Sequence, residues 1–178
     1  LTPVEFMRQR GHTVPLPLPH RSESRSLSTE LMPTLAFNHG SGSSACARGL
    51  SSFFSKYMDT LPSHPRGVLV VEAHIQASPV LVGGDPGLAS DVEALLGRAG
   101  IDRRLVSESG MPKGAHGVSD VARALDAHSE RRSLPAVPVA YMSVLGNERD
   151  AQGHLNLGKA LAPLREHGIL IVGSGLPR

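Results

Sequence analysis

The stretch from Gly67 to Ala73 reads Gly-Val-Leu-Val-Val-Glu-Ala, a nearly continuous run of β-prone apolar residues. Such a run is typical of a strand that is buried on both faces, as the strands of parallel sheets are. A second run of this kind, from Gly168 to Val172, follows a stretch of helical period. The two runs predict an α/β protein with a mostly parallel or mixed sheet that is flanked by helices.

The same alternation of apolar runs and helical stretches continues through the chain from Pro33 onward, as in βαβ units. Asp85 directly before Pro86 predicts a helix N-cap with proline at the first helical position, and Gly168 predicts the end of the last helix. The predicted strands are 34–37, 67–73, 79–82, 103–106, 137–144 and 168–172, and the predicted helices are 45–61, 86–99, 118–128 and 151–167.

Composition excludes several classes of protein. The chain has 178 residues and a formal net charge of +2, which is too small and too interspersed to predict a nucleic-acid partner. No apolar run approaches the roughly 20 residues that cross a bilayer, so no membrane partner is predicted. Cys46 is the only cysteine, which is compatible with a reducing compartment and predicts a cytoplasmic protein. The oligomeric state is not predicted.

The first 32 residues differ in composition from the rest of the chain. Three prolines alternate with leucines at 15–19, and a stretch rich in serine and arginine follows at 21–29. This composition predicts a disordered tail or non-native leader over residues 1–32 and a single folded domain over residues 33–178. The serines and arginines faintly suggest organelle targeting, but Glu5, Glu23 and Glu30 argue against it.

Nine histidines stand beside only six aromatic residues, and two of the histidines directly follow predicted strands. His39 comes after the first strand and His74 after the second, and ligands of parallel sheets bind outside the carboxyl ends of strands. Adjacent strands lie about 4.8 Å apart, so we expect the two imidazoles at these strand ends to reach one metal ion. His116, in a loop between Gly114 and Gly117, reaches the same rim. Of the other six histidines, two lie in the predicted tail and four lie on or near helix ends, where they are interpreted as solvated. These are His12 and His20, and His64, His128, His154 and His167.

A competing interpretation rests on glycines. Gly40, Gly42 and Ala45 match the G-x-G-x-x-A pattern between a strand and a helix, and Glu72 ends the next strand. In dinucleotide-binding domains the glycines let the backbone approach a pyrophosphate, and the acidic residue holds a ribose hydroxyl. Glu72 comes 32 residues after Gly40, whereas a spacing of about 20 is usual. Nicotinamide-cofactor binding therefore stays a weaker alternative to the metal site.

Several segments of the chain resemble one enzyme family, the extradiol aromatic ring-opening dioxygenases of the DOPA-dioxygenase type, which are related to protocatechuate 4,5-dioxygenase. That family has His-Gly-Ser after its first strand and a histidine after its second, with serine usual at the position of Glu72. The match is loose around His116, and the last helix and strand match best. The similar segments are 31–41, 68–74, 113–117, 137–144, 154–165 and 168–175.

The resemblance implies a mononuclear site that holds ferrous iron or zinc. Enzymes of this family bind a small aromatic diol through both oxygens, bind O₂ beside it, and open the ring next to the diol. Two neutral imidazoles and one further hard ligand leave open positions for substrate and oxygen. By resemblance, His39 and His74 are metal ligands, and His116 is a catalytic residue that contacts the substrate or oxygen.

The last residues depart from the pattern of the family. The family has a catalytic His-Asn pair three residues after Gly173-Ser174-Gly175, and a third metal ligand later, whereas this sequence stops after three more residues. We therefore expect a C-terminally incomplete domain that lacks the third ligand and has impaired ring-opening activity. A catalytically inactive interaction protein of the same fold is the alternative, because an incomplete sheet exposes an unpaired edge.

Overall fold

A computed structural model describes residues 30–37, 44–106, 116–145 and 150–175. Within these ranges only the backbone is described at 44–48, 74–77, 116 and 145. The predicted tail therefore lies outside the described residues up to position 29. Among the described residues, no helix combines the length and the apolar character that crossing a bilayer requires.

The described strands form one six-stranded mixed sheet in the order β1-β6-β2-β5-β3-β4. β1, β6, β2 and β5 are mutually parallel, β3 runs antiparallel to β5, and β4 is parallel to β3. This confirms the predicted α/β class with a mixed sheet. The strands are β1 Thr34–Phe37, β2 Gly67–Ala77, β3 Val80–Gly84, β4 Arg103–Leu105, β5 Val139–Leu145 and β6 Ile169–Ser174.

The helices begin and end close to where the sequence predicts. The Asp85 carboxylate accepts a hydrogen bond of 2.9 Å from the Leu88 amide, which confirms the predicted N-cap. The last predicted helix is divided in two at Pro163, because proline has no amide hydrogen to continue the ladder. Gly168, with φ of +76°, ends it as predicted. The helices are α1 Ser44–Met58, α2 Pro86–Arg98, α3 His116–Arg132, α4 Ala151–Leu161 and α5 Pro163–Glu166.

The hydrophobic core has two layers, one on each face of the sheet. Val68 and Val70 of β2 pack towards α1 and α3, whereas Leu69 packs towards α2, α4 and α5. Both faces of β2 are therefore buried, as its continuous apolar run predicts. Met32 is 1% exposed and belongs to the α1–α3 layer, so the packed structure includes the last residue of the predicted tail.

Candidate functional site

Four residues line up across the end of the sheet at which its parallel strands finish, which we name the carboxyl end. Phe37 of β1 is in register with Ser174 of β6, Ser174 with Glu72 of β2, and Glu72 with Ser143 of β5. We name these four residues the terminal row. Alternation along each strand places the row on the face that α1 and α3 cover, because Val70 two residues before Glu72 packs there.

Three of the four members of the terminal row are polar although they are buried, and the fourth is the half-buried Phe37. Glu72 and Ser143 are 0% exposed and Ser174 is 3% exposed. The Ser174 hydroxyl donates a hydrogen bond of 3.4 Å to Glu72 Oε2, and Ser143 Oγ accepts one of 2.8 Å from the Leu81 amide. Buried polar groups at the carboxyl end of a sheet, rather than in its middle, are typical of a ligand-binding edge.

The start of α3 lies directly on this row. A Cβ atom at Gly117 would fall 2.5 Å from Glu72 Oε2 and closer still to Ser174 Oγ. Glycine is therefore required here by close approach, since every larger residue would displace two buried side chains. The sequence does not single out Ser174 and Gly117 as contacts of Glu72, because they are separated from it by 102 and 45 residues.

His74 lies two residues beyond Glu72, and its position corrects the predicted end of the strand. The prediction that β2 finishes at Ala73 is wrong, because the strand continues to Ala77. The register on β5 passes from Glu72 opposite Ser143 to Gln76 opposite Val144, so β2 carries extra residues between them. His74 therefore lies in an irregular part of β2, and such breaks in strand pairing commonly re-aim side chains beside active sites.

The strands that precede the two predicted ligands are not neighbours, which corrects a second expectation. β6 lies between β1 and β2, so the two strands are about 10 Å apart, twice the usual spacing. His39 itself is outside the described residues, two positions after Phe37. A metal ion shared by His39 and His74 would have to be held across the end of β6.

His116 is the first residue of α3 and immediately precedes Gly117. Each of the three predicted site residues thus lies within two positions of a residue that the structure brings to the carboxyl end. Among the described side chains, no three histidine, cysteine, aspartate or glutamate residues are grouped as metal ligands. The side chains of His39, His74 and His116 lie outside that comparison, so the metal site stays a prediction.

The sheet order argues against the dinucleotide-binding alternative. In that motif the strand before the glycine turn pairs with the strand that carries the acidic residue. Here β6 separates β1 from β2, and Glu72 is buried beneath Gly117 instead of being open to a ribose. Gly40 and Gly42 are outside the described residues. The glycine pattern therefore lacks the fold context that would give it the predicted role.

One histidine of the described chain is buried where the sequence predicts a solvated side chain. His128 is 3% exposed, and it follows Val121 and Leu125 on the buried face of α3. Burial is the main cause that lowers the pKa of its imidazole, opposed by the nearby Asp59 carboxylate. The spacing of 121, 125 and 128 could have revealed this, since it is that of one helix face. His128 lies at the other end of α3 from the terminal row.

No protein-family model matches the sequence. Over 92 residues the chain is 33% identical to a 4,5-DOPA dioxygenase extradiol of Mirabilis jalapa, and the match covers 52% of this chain and 31% of that protein. This match indicates a distant relation to extradiol dioxygenases.

The fold is similar to the crystal structure of an uncharacterised protein from Escherichia coli K12, with a TM-score of 0.57 and 26% sequence identity. The superposition covers 81% of this chain and 59% of the bacterial chain. The chain thus aligns with less than two thirds of either protein. The bacterial structure supports the fold, and the plant enzyme supports a distant relation to extradiol dioxygenases.

Proposed function

We propose that this chain is an extradiol dioxygenase-like protein that opens a small aromatic diol with O₂ at a single Fe²⁺ or Zn²⁺ site. His39 and His74 are the proposed metal ligands, and His116 is the proposed catalytic residue. One observation carries the proposal. Described residues within two positions of these three histidines come together at the carboxyl end of the sheet. Phe37 and Glu72 belong to the terminal row, and Gly117 lies against it.

The types of residue at the carboxyl end of the sheet suit a metal-dependent site. Neutral imidazoles are common ligands of iron and zinc, and the buried polar row beside them can orient such ligands. β6, the strand between β1 and β2, ends at Ser174, which stands between Gly173 and Gly175. No side chain at this strand end is larger than a hydroxymethyl group.

A bound Fe²⁺ ion would supply the activation of both the diol and O₂, whereas Zn²⁺, which has no redox chemistry, would only hold the diol. The residues of the chain would hold the ion, orient the substrate and transfer a proton. His39 and His74 would fix the position of the diol oxygens through the ion they hold, and His116 would move a proton at a substrate hydroxyl. Phe37, the apolar member of the row, and Val118 of α3 belong to one hydrophobic cluster, which would help to exclude water from the reacting atoms.

The substrate class is proposed from the relation to the plant enzyme, whose name specifies DOPA. Catechols in general carry the paired oxygens that such a site requires, so several different catechols should be assayed as substrates. A cytoplasmic location is proposed from the single cysteine.

Metal titration with matched histidine variants tests the proposal. Calorimetric titration with Zn²⁺, and with Fe²⁺ under anaerobic conditions, should show one ion bound per chain. His39→Ala and His74→Ala should each weaken binding by at least about tenfold. His154→Ala, on α4, is the control and should leave binding unchanged. His116→Ala should retain the ion and lose catechol-dependent oxygen uptake. Equal metal affinity in the wild type, His39→Ala and His74→Ala would refute the site.

A further inference from the structure

A groove opens on the surface of the domain between α1 and the last turn of α3. Its volume is about 380 Å³, which lies within the range of roughly 300–1,000 Å³ that is usual for small-molecule sites. Hydroxyl and cationic side chains line it, and no acidic residue of the described chain does. We name this feature the serine groove, and its residues are Ser51, Ser52, Ser55, Lys56 and Arg131.

The two cations of the serine groove have no carboxylate partner. Among the described residues, three arginines form ion pairs with acidic side chains, whereas Lys56 and Arg131 form none. Asp59, which directly follows α1, is already engaged by Arg132. Glu130 precedes Arg131, but consecutive side chains of a helix point about 100° apart, and Glu130 does not line the groove. Two unpaired positive charges therefore line one groove.

The three hydroxyl groups lie on the same side of α1 as Lys56. At about 100° per residue, positions 51, 52, 55 and 56 span about 140° of the helix surface. Within the described chain no hydrogen bond engages these serine side chains. Because each hydroxyl donates one hydrogen bond and accepts two, the groove offers three donors beside the two cations.

The charge of Arg131 also acts on the buried end of α3. Burial is the main cause that lowers the pKa of the His128 imidazole, and the Asp59 carboxylate opposes it. The positive charge of Arg131 is among the further causes that lower this pKa. An anion in the serine groove would offset that charge, since opposite charges attract strongly at short range.

We propose that the serine groove binds the phosphate group of a small phosphorylated molecule. The planar guanidinium of Arg131 matches two phosphate oxygens, the Lys56 ammonium adds a compact positive charge, and the serine hydroxyls donate to the remaining oxygens. A phosphate monoester carries about −1.5 to −2 charges at pH 7, so one ligand neutralises both cations, which a single carboxylate would not. The groove is larger than a phosphate ion, and for this reason we expect an ester to bind more tightly than free phosphate.

The serine groove is separate from the carboxyl end of the sheet. Arg131 lies fourteen residues after Gly117, a distance of about 20 Å along a helix. Binding in the groove therefore needs neither a metal ion nor a catechol, and its test is independent of the proposed function.

Two-dimensional ¹⁵N–¹H NMR titrations at pH 7 and low ionic strength test the proposal. Glycerol 3-phosphate should shift the amide signals of residues 51–56 and 129–132 until they saturate. Inorganic phosphate should shift the same signals with weaker affinity, and glycerol should leave them unchanged. Lys56→Gln and Arg131→Gln should each weaken binding of the ester about three- to fivefold, the effect of one exposed charge pair.

Lys159→Gln is the matched control, since it removes one exposed positive charge from α4 and should leave the affinity unchanged. All three replaced side chains are exposed, so each variant can be compared as a folded protein. Equal ester affinity in the wild type, Lys56→Gln and Arg131→Gln would overturn the proposal, as would an equal loss in Lys159→Gln. Shifts that glycerol alone reproduces would also refute it. Equal affinities for inorganic phosphate and the ester would overturn the preference for an ester and assign the groove to the free ion.

Discussion

Replacing Gly117 by alanine probes the contact between α3 and the sheet with a single added methyl group. The new Cβ would lie 2.5 Å from Glu72 Oε2 and 3.0 Å from Ser174 Cβ, and it would also overlap Ser174 Oγ. Rotation of the Ser174 hydroxyl relieves the overlap but leaves the Ser174 Cβ closer than ordinary van der Waals contact. Relief at Glu72 requires a fully buried side chain to move.

The size of the effect follows from two opposing contributions. Overpacking of a buried site costs about 1–3 kcal/mol. Alanine in place of glycine in a helix returns up to about 1 kcal/mol, and less near the helix end, where Gly117 lies. The free energy of unfolding of Gly117→Ala should therefore fall by about 1–2 kcal/mol. In urea this corresponds to a midpoint lower by about 0.5–1 M.

Urea denaturation followed by circular dichroism measures this change, and Gly158→Ala provides the matched control. Gly158 lies within α4, and a Cβ there would have no neighbour within 4 Å. Gly158→Ala should therefore raise the midpoint, because only the helix propensity changes. If Gly117→Ala is as stable as Gly158→Ala, the close approach of α3 to Glu72 is refuted. Ser174→Gly in the Gly117→Ala background should recover part of the loss.

Three further predictions concern the rest of the domain. Asp85→Ala should lower the free energy of unfolding by about 1 kcal/mol, since it removes the N-cap of α2; an unchanged urea midpoint would contradict this. The lowered pKa of His128 means that the unfolded chain takes up a proton first, so stability should fall as pH drops below about 6.5, at up to about 1.4 kcal/mol per pH unit. His128→Gln should flatten this part of the stability profile, whereas the exposed control His167→Gln should not. Tyr141→Phe should leave thermal stability unchanged or raise it, because the buried Tyr141 hydroxyl has no hydrogen-bond partner among the described residues.

The sequence predicts the elements of this fold well, because their signals are local. The apolar run at 67–73 and the Asp85 cap each act within a few residues, so each appears where it is predicted. The errors arise where distant parts of the chain meet. β2 extends to Ala77 because residues 76 and 77 pair with β5, which lies more than 60 residues further along the chain. Nothing within residues 67–77 encodes that partner.

At the candidate site, too, the local signals are visible in the sequence and the long-range contacts are not. Histidines at strand ends are visible in the sequence, and so is the glycine after His116. The contact of Gly117 with Glu72 and Ser174 depends on the register between β2 and β6, which is a property of the folded sheet. The prediction for His128 is wrong for a different reason, since the spacing of residues 121, 125 and 128 on one helix face already indicates its burial. The residue types in a sequence indicate which chemistry is possible, but the packing of the folded chain decides which of these residues come into contact.

Because of the position of β6, the candidate site depends on segments that are far apart in the sequence. Among the described strands, β1 pairs with β6 and with no other, so the segment that leads to His39 is attached to the sheet through β6. The strand that leads to His74 pairs with the other side of β6. His39 and His74 are 35 residues apart in sequence, yet the strands that precede them are joined by a strand nearly 100 residues after His74. A change that loosens β6, such as one at Val172 in its buried centre, should therefore disturb both predicted ligands together, even though it touches neither.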